Sequence, residues 1–436
     1  MTVAPLGLYT DLYELTMAAA FHRERRTETV TFDLFVRTLP PRREFLVVAG
    51  IDTAIERLGA FTYDDDAVAY LRTLGLFDED FLTWLRRFRF DGEVRAILPG
   101  DLAFATEPIV TVTAPLVPAQ LLETLLINTV GFETMIATKA ARVQRACAGR
   151  AFVDFSARRD HGLEAALAVA RASAIGGAAG TSLVEAGRRY GLALSGTMAH
   201  SFVMAHEREV DAFRAYLRQY GPTSILLVDT YDTAQGVRAA VAAMEAEGVV
   251  ARAVRIDSGD LAALAREARA LLDDAGFAAV QVLASGDLDE DRIADLVAVG
   301  APIDAFGVGT QLGTSADAPY LGMVYKLVEQ GGEPRLKLSP GKQTAPGRKQ
   351  VWRLDGSDIV ALATEAGPAG ARPLLEVVYE GGPTGAVGTL ADARARCAAA
   401  MASWPGQAPV VRATDTLTAL ARGVVEAQRW VGSPGA

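Results

Sequence analysis

Three stretches decide the fold: SILLVDTYD at 224–232, VARAVRIDSGD at 250–260 and AAVQVLASGDL at 278–288. Each is a short apolar, β-prone run that closes on a polar cluster. Each is followed by a segment with helical spacing: Ala234–Glu247, Leu261–Ala275 and Asp289–Val299. Short strands alternating with helices predict βαβ units and a parallel sheet. The rhythm extends to AFVDFSARR (151–159), LALSGTMAHSF (192–202) and IDAFGVGTQLG (303–313), and GMVYKLVEQ (322–330) is expected to close the series. An open doubly wound sheet concentrates function at one or two switch points. A barrel brings all of its C-terminal strand ends to one mouth. Polar clusters on nearly every run favour a barrel or incomplete barrel.

Working outward, residues 1–130 read as mixed α and β. Asp11–His22 is expected to be a helix capped by its first acid, TVTFDLFV (29–36) a half-buried strand, and 101–113 a further strand. The expected organisation is a mixed α/β domain from 1–130 joined by 340–436, with the α/β barrel from 131–339 carrying the site.

Composition narrows the function. The chain has 436 residues, 50% hydrophobic, and a net charge of -10, which argues against a general nucleic-acid binder. Two cysteines exclude a disulfide scaffold and a four-cysteine metal site. No stretch reaches the roughly 18–20 uncharged apolar residues of a membrane span, and the N-terminus lacks a basic start, so a cytoplasmic protein is the expectation. Only five of 43 basic residues are lysine, and four of them fall within 326–349, as chance or as compact charges for phosphate. Imidazole chemistry must come from His22, His161, His200 or His206.

The strand ends supply the candidates. Gly307 and Gly309 in GVGTQLG leave backbone N–H groups open to a phosphate, and Thr310 adds a hydroxyl. A turn role is the alternative reading. IGGAAGTS (175–182) is a second candidate cradle or a packing stretch. Arg255 can grip a planar carboxylate or a phosphate through two hydrogen bonds. Asp257 and Asp260 can hold Mg²⁺, or Asp260 or Ser258 can cap a helix. Asp229, Asp232 and Asp287, the last beside Gly286, extend the acidic layer, and His200 lies in it with Thr197 and Ser201. No HExxH or GxSxG pattern points to zinc or serine hydrolysis. Phosphate, Mg²⁺, one imidazole and several arginines remain.

TDLYELTMAAAF (10–21), FSARRDHG (155–162), SGTMAHSF (195–202), RIDSGDL (255–261), GVGTQLGTS with GMVYKLVE, and KQTAPGRK (342–349) occur in one order. Together they resemble the nicotinate phosphoribosyltransferase family. The resemblance implies a two-domain fold with an incomplete barrel and a homodimer with shared active sites. It implies transfer of the phosphoribosyl group of phosphoribosyl diphosphate to nicotinate in NAD salvage, coupled to ATP, with Mg²⁺. It places Tyr13 on the pyridine ring across the interface, Thr197 and Arg255 at nicotinate, Thr310 at the phosphoribosyl phosphate, Arg158 or Arg159 at the acidic substrates, and His200 as the phosphorylated residue. The nicotinamide enzymes are similar at Gly180-Thr181 but carry an acid next, where this chain has Ser182. Departures occur at PPRRE (40–44) and IGGAAGTSLVEAG. The rivals are a nicotinamide or quinolinate enzyme, a metabolite-binding scaffold, and a barrel aldolase or isomerase using Lys326.

Overall fold

The computed structural model describes residues 4–337 and 344–431. The chain divides into two compact units, Met1–Met135 with Tyr320–Ala436, and Ile136–Pro319.

The Ile136–Pro319 unit is built on six parallel strands. In spatial order they are Gly180–Thr181, Ala151–Asp154, Ala305–Val308, Gln281–Ala284, Ala253–Ile256 and Ile225–Leu227. The two edge strands do not meet, so the sheet curls into an incomplete α/β barrel. Ile225–Leu227 is buried throughout, and Gln281–Ala284 is buried after its first residue. Strands covered on both faces read as continuous apolar runs, which is why the sequence marks them so clearly. Helices Thr233–Glu247, Leu261–Asp274 and Glu290–Ala298 follow the expected segments, and each starts on an aspartate whose side chain accepts a backbone N–H. Phe152, Val254, Val282 and Phe306 belong to the core beneath them.

Parallel pairing has one consequence for function: every strand ends at the same rim. The residues that follow the strands, Phe155, Ser182, Asp229, Asp257, Ser285 and Gly309, therefore share that rim.

Two expected strands behave differently. The 192–202 run makes one bridge, Leu194 to Thr181, and from His200 it is helical. GMVYKLVEQ does not close the barrel. Met323–Gln330 pairs antiparallel with Thr29–Val36 in the other unit. Its burial is one-sided, with Met323, Tyr325 and Val328 inside while Lys326 and Glu329 are half-buried, the pattern of an antiparallel strand. Tyr325 stacks on Phe32 with ring centroids 4.6 Å apart.

The other unit holds a six-stranded sheet in the order Glu333–Pro334, Met323–Gln330, Thr29–Val36, Pro108–Pro115, Glu93–Ile97 and Leu375–Glu380. A second sheet joins Arg372–Pro373, Lys349–Leu354, Ser357–Leu362 and Val410–Ala413. The stretch expected as one strand at 101–113 is two, Leu102–Ala103 and Pro108–Pro115, because the chain turns at Thr106, whose φ is 72°.

Candidate functional site

Arg255 lies next to last in the Ala253–Ile256 strand, between the buried Val254 and Ile256. Period-two alternation turns its side chain to the opposite face. Its Nε donates to Ser285 Oγ at 2.7 Å, one Nη to Thr197 Oγ1 at 2.8 Å and the other to Asp257 Oδ1 at 2.6 Å. Phe155 lies under the guanidinium, 5.6 Å from its carbon to the ring centroid. A guanidinium has five N–H donors. Three are engaged here, which leaves one on each Nη, the pair suited to a carboxylate. Ser285 Oγ in turn donates to Asp257 Oδ1 at 2.5 Å. Burial pushes the Asp257 carboxyl up, but the Ser285 hydroxyl, the Arg255 charge and His200 outweigh it, so the group sits below its ordinary range. Arg255, Thr197, Ser285, Asp257 and Phe155 are thus one rigid constellation drawn from four segments of chain.

His200 opens the short helix His200–Met204 and is half-buried. Its Nδ1 lies 3.2 Å from Thr230 Oγ1. Nε2 has no hydrogen-bond partner among the described residues and is the nitrogen left for chemistry. Asp229 stands beside this region. Its Oδ2 accepts from Asp257 N at 2.8 Å and Ser258 Oγ at 2.9 Å, while its Oδ1 is buried without a partner. Glu209 is pushed up to about 7, first by burial and then by Asp229 and Asp232.

Asp257 and Asp260, expected as a Mg²⁺ pair or, for Asp260, as a cap, are both engaged within the protein. Asp260 Oδ1 accepts Ala263 N at 3.1 Å and caps the Leu261–Asp274 helix, while Asp257 is tied to Arg255 and Ser285. Asp232 is likewise a cap, accepting Gln235 N at 2.9 Å. Among the described residues no group of three His, Cys, Asp or Glu could enclose a metal ion.

Glycine is obligatory at two places, one on the rim and one within the Ala305–Val308 strand. Gly286 has φ 97°, and a Cβ there would lie 1.9 Å from the Asp257 carbonyl oxygen. The adjacent Asp287 also adopts a left-handed conformation, φ 47°. At Gly307 a Cβ would meet the Phe155 ring at 2.6 Å. Gly309 is less constrained, its nearest contact at 3.4 Å, and it precedes Thr310 at the start of the four-residue helix Thr310–Gly313. Of the two readings of IGGAAGTS, packing is the one its glycine contacts support. A Cβ on Gly176 would meet Ala137 O at 2.5 Å, so IGGAAGTS serves close packing on the Glu123–Ala146 helix.

A buried carboxylate organises the next strand ends. Asp154 accepts from Ser156 N at 2.9 Å, Ser156 Oγ at 2.5 Å and Thr181 Oγ1 at 2.9 Å, and burial raises its pKa. Asp160 is pushed up to about 6 by burial and then by Asp154. Arg158, Arg159 and Ser182 are exposed.

The lysine-rich segment does not offer a set of open charges. Lys349 is buried and pairs with Asp33 at 2.8 Å, and Lys326 lies 3.5 Å from Glu123. Lys337 is exposed and Lys342 lies outside the described residues. The same unit has a cavity of about 350 Å³ lined by Asp33, Arg37, Thr344 and Lys349, in which Arg37 Nε and Thr344 Oγ1 are buried without a partner.

Two family models match the chain: the nicotinate phosphoribosyltransferase N-terminal domain over residues 8–131 and the nicotinate phosphoribosyltransferase family over residues 150–348. A nicotinate phosphoribosyltransferase of Mycobacterium tuberculosis is 50% identical over 349 residues, covering 80% of this chain and 75% of the relative. The chain belongs to the nicotinate phosphoribosyltransferase family. A nicotinate phosphoribosyltransferase of Bacillus subtilis is 43% identical over 359 residues, covering 80% of this chain and 73% of the relative. The crystal structure of human nicotinic acid phosphoribosyltransferase superposes with a TM-score of 0.84 at 28% identity, over 95% of this chain and 99% of the human one. The protein is accordingly an enzyme of the nicotinate phosphoribosyltransferase type. No helix among the described residues is long and apolar enough to cross a membrane.

For a nicotinate phosphoribosyltransferase the structure gathers Thr197, His200, Arg255 and Asp257 in one linked neighbourhood, with Gly286, Asp287, Gly309 and Thr310 on the same rim and Gly307 inside the strand that leads to it. Tyr13 belongs to the other unit. It is 46% exposed among the exposed Leu8, Tyr9 and Leu12, and burial and Glu123 hold its hydroxyl protonated. Asp11 precedes the Leu12–Arg23 helix but does not cap it with its side chain, whose Oδ2 accepts from Thr124 Oγ1 at 2.9 Å. Sequence reasoning missed Phe155, Ser285 and Thr230. Only their places at or just beyond strand ends, Phe155 and Ser285 directly and Thr230 three residues after Leu227, could have marked them.

Proposed function

We propose that the enzyme joins nicotinate to phosphoribosyl diphosphate, giving nicotinate mononucleotide and diphosphate, with the transfer coupled to ATP hydrolysis through a phosphohistidine at His200. The observation that carries this is Arg255, held on three sides and retaining two N–H groups above Phe155.

The ring nitrogen of nicotinate has a free lone pair. It attacks the sugar carbon bearing the diphosphate, the carbon–oxygen bond breaks, and diphosphate departs with the electron pair. The ring becomes a pyridinium, so no proton moves and no general base is needed. What the site must do is orient the acid and stabilise charge on the ribose and the leaving group. Arg255 with Thr197 takes the carboxylate. Thr310 and the Gly309 and Gly286–Asp287 turns take the phosphoribosyl group, Gly307 inside the Ala305–Val308 strand leaves room for the Phe155 ring, and Arg158 or Arg159 take the leaving phosphates. Mg²⁺ characteristically binds one or two carboxylates plus substrate phosphates. The orphaned Oδ1 of Asp229 fits that need, with Asp257 beside it, and Asp260 is left to its helix. Such an ion would screen the diphosphate charge.

In the coupling step Nε2 of His200 attacks the γ-phosphorus of ATP and ADP leaves. Water later releases phosphate from the imidazole. The homodimer reading would supply Tyr13 from a partner subunit to stack on the pyridine ring. Ser182, exposed and neutral, leaves a carboxylate unopposed where an acid would repel it, which supports nicotinate over nicotinamide. The aldolase reading loses its amine: Lys326 lies in an antiparallel strand of the other unit, and the barrel's own lysine, Lys139, is buried in ion pairs.

The first test is thermal stability. Ligand at about a hundred times its Kd stabilises the native state by roughly 2.7 kcal/mol. Phosphoribosyl diphosphate with Mg²⁺ is expected to raise the melting temperature by several degrees. An unchanged melting temperature at millimolar ligand contradicts the reading.

A further inference from the structure

The barrel unit contains a single lysine, and that lysine is buried. Lys139, in the Glu123–Ala146 helix, is 1% exposed. Its Nζ lies 2.5 Å from Glu290 and 2.8 Å from Asp317. Arg142, one turn further, reaches Glu290 at 2.7 Å and Asp317 at 3.0 Å. The two oxygens of Asp317 are divided between the cations, Oδ1 accepting from Lys139 and Oδ2 from Arg142.

The net has a buried half, Lys139 with Glu290, and a half that reaches the surface, Arg142 with Asp317. A buried ion pair is a poor device for stability alone, because well-packed apolar residues of the same volume serve as well or better. What distinguishes it is what it joins. Glu290 opens the helix that follows the Gly286–Asp287 turn, and Asp317 ends the segment that begins at Gly309 and Thr310. The backbone between each anchor and its strand end has little slack. Gly286 and Asp287 are both left-handed, and so is the buried Ser315, at φ 43°. Ser315 Oγ donates to Ala318 O at 2.9 Å. Gly313 packs so closely on the 156–160 loop that a Cβ would lie 2.0 Å from Asp160 Oδ1.

We propose that Lys139, together with Arg142, is a positioning residue: it clamps the two glycine turns of the barrel mouth to one helix, so that Thr310 and the Gly286–Asp287 turn meet the phosphoribosyl group in fixed register. The proposal rests on the functional reading above and adds to it the element that sets affinity for the activated sugar.

The test compares Asp317→Asn, Lys139→Met and the double variant with the parent enzyme. Asp317→Asn keeps the side chain's shape and is the variant that folds if Lys139→Met does not. It is expected to raise KM for phosphoribosyl diphosphate about tenfold, the effect of weakening one charge-assisted hydrogen bond. Its kcat, its KM for nicotinate and its melting temperature are expected to stay close to the parent values. The double variant should show the KM rise of the more affected single variant rather than the product of the two. A lowered melting temperature with all Michaelis constants unchanged would make the net purely structural and overturn the proposal, as would multiplying KM effects. Parent enzyme that does not turn over phosphoribosyl diphosphate with nicotinate contradicts the functional reading itself, a result distinct from unchanged constants in Asp317→Asn, and overturns both.

Discussion

Arg255→Ala is expected to lower kcat/KM for nicotinate by about a thousandfold. Hydrogen bonds to a charged group contribute about 1.5–3 kcal/mol each, so losing a two-point grip on the carboxylate removes roughly 4 kcal/mol. The substitution also strips Asp257 of the cation that holds its carboxyl low and takes the partner from Thr197 and Ser285. Arg255→Lys keeps the charge but not the fork, and should recover only part of the loss. Initial rates at varied nicotinate, with melting temperature as a check on folding, measure this. A loss under tenfold in a folded variant would show that the carboxylate is held elsewhere.

The second large effect belongs to His200. Its Nδ1 is engaged by Thr230 and its Nε2 is open, the arrangement a nitrogen nucleophile needs. A phosphorylated site that changes affinity for the diphosphate substrate is expected to shift that affinity by about 5-fold to 150-fold. At subsaturating substrate ATP should therefore stimulate the parent enzyme within that span and leave His200→Ala at its slower basal rate. Intact-mass analysis after incubation with ATP should show one added phosphoryl group on the parent and none on the variant. Full ATP stimulation in His200→Ala would remove this residue from the coupling.

The barrel was legible because buried parallel strands are apolar on both faces and stop at polar rims. RIDSGD could be placed on that rim from spacing alone, whereas SGTMAHS, expected at a strand end, reaches Arg255 from a segment that makes a single bridge and then turns helical. What was not legible followed from chemistry that looks identical in one dimension. An aspartate after a strand is a helix cap or a ligand with the same letter, and Asp232 and Asp260 proved to be caps. Glycines that admit a phosphate and glycines that admit a helix are equally alike, and Gly176 is of the second kind. Met323–Gln330 carries enough valine, tyrosine and leucine to resemble a barrel strand, and only its one-sided burial assigns it to the antiparallel sheet. Phe155 and Ser285 matter through a cation–π contact and one hydroxyl, and neither leaves a pattern in sequence.

The most direct test is product formation by purified enzyme given phosphoribosyl diphosphate, Mg²⁺ and either nicotinate or nicotinamide, each with and without ATP. The site described here predicts nicotinate mononucleotide and diphosphate in equal amounts, faster with ATP, and little product from nicotinamide. Preference for nicotinamide, or no release of diphosphate with either base, would contradict it.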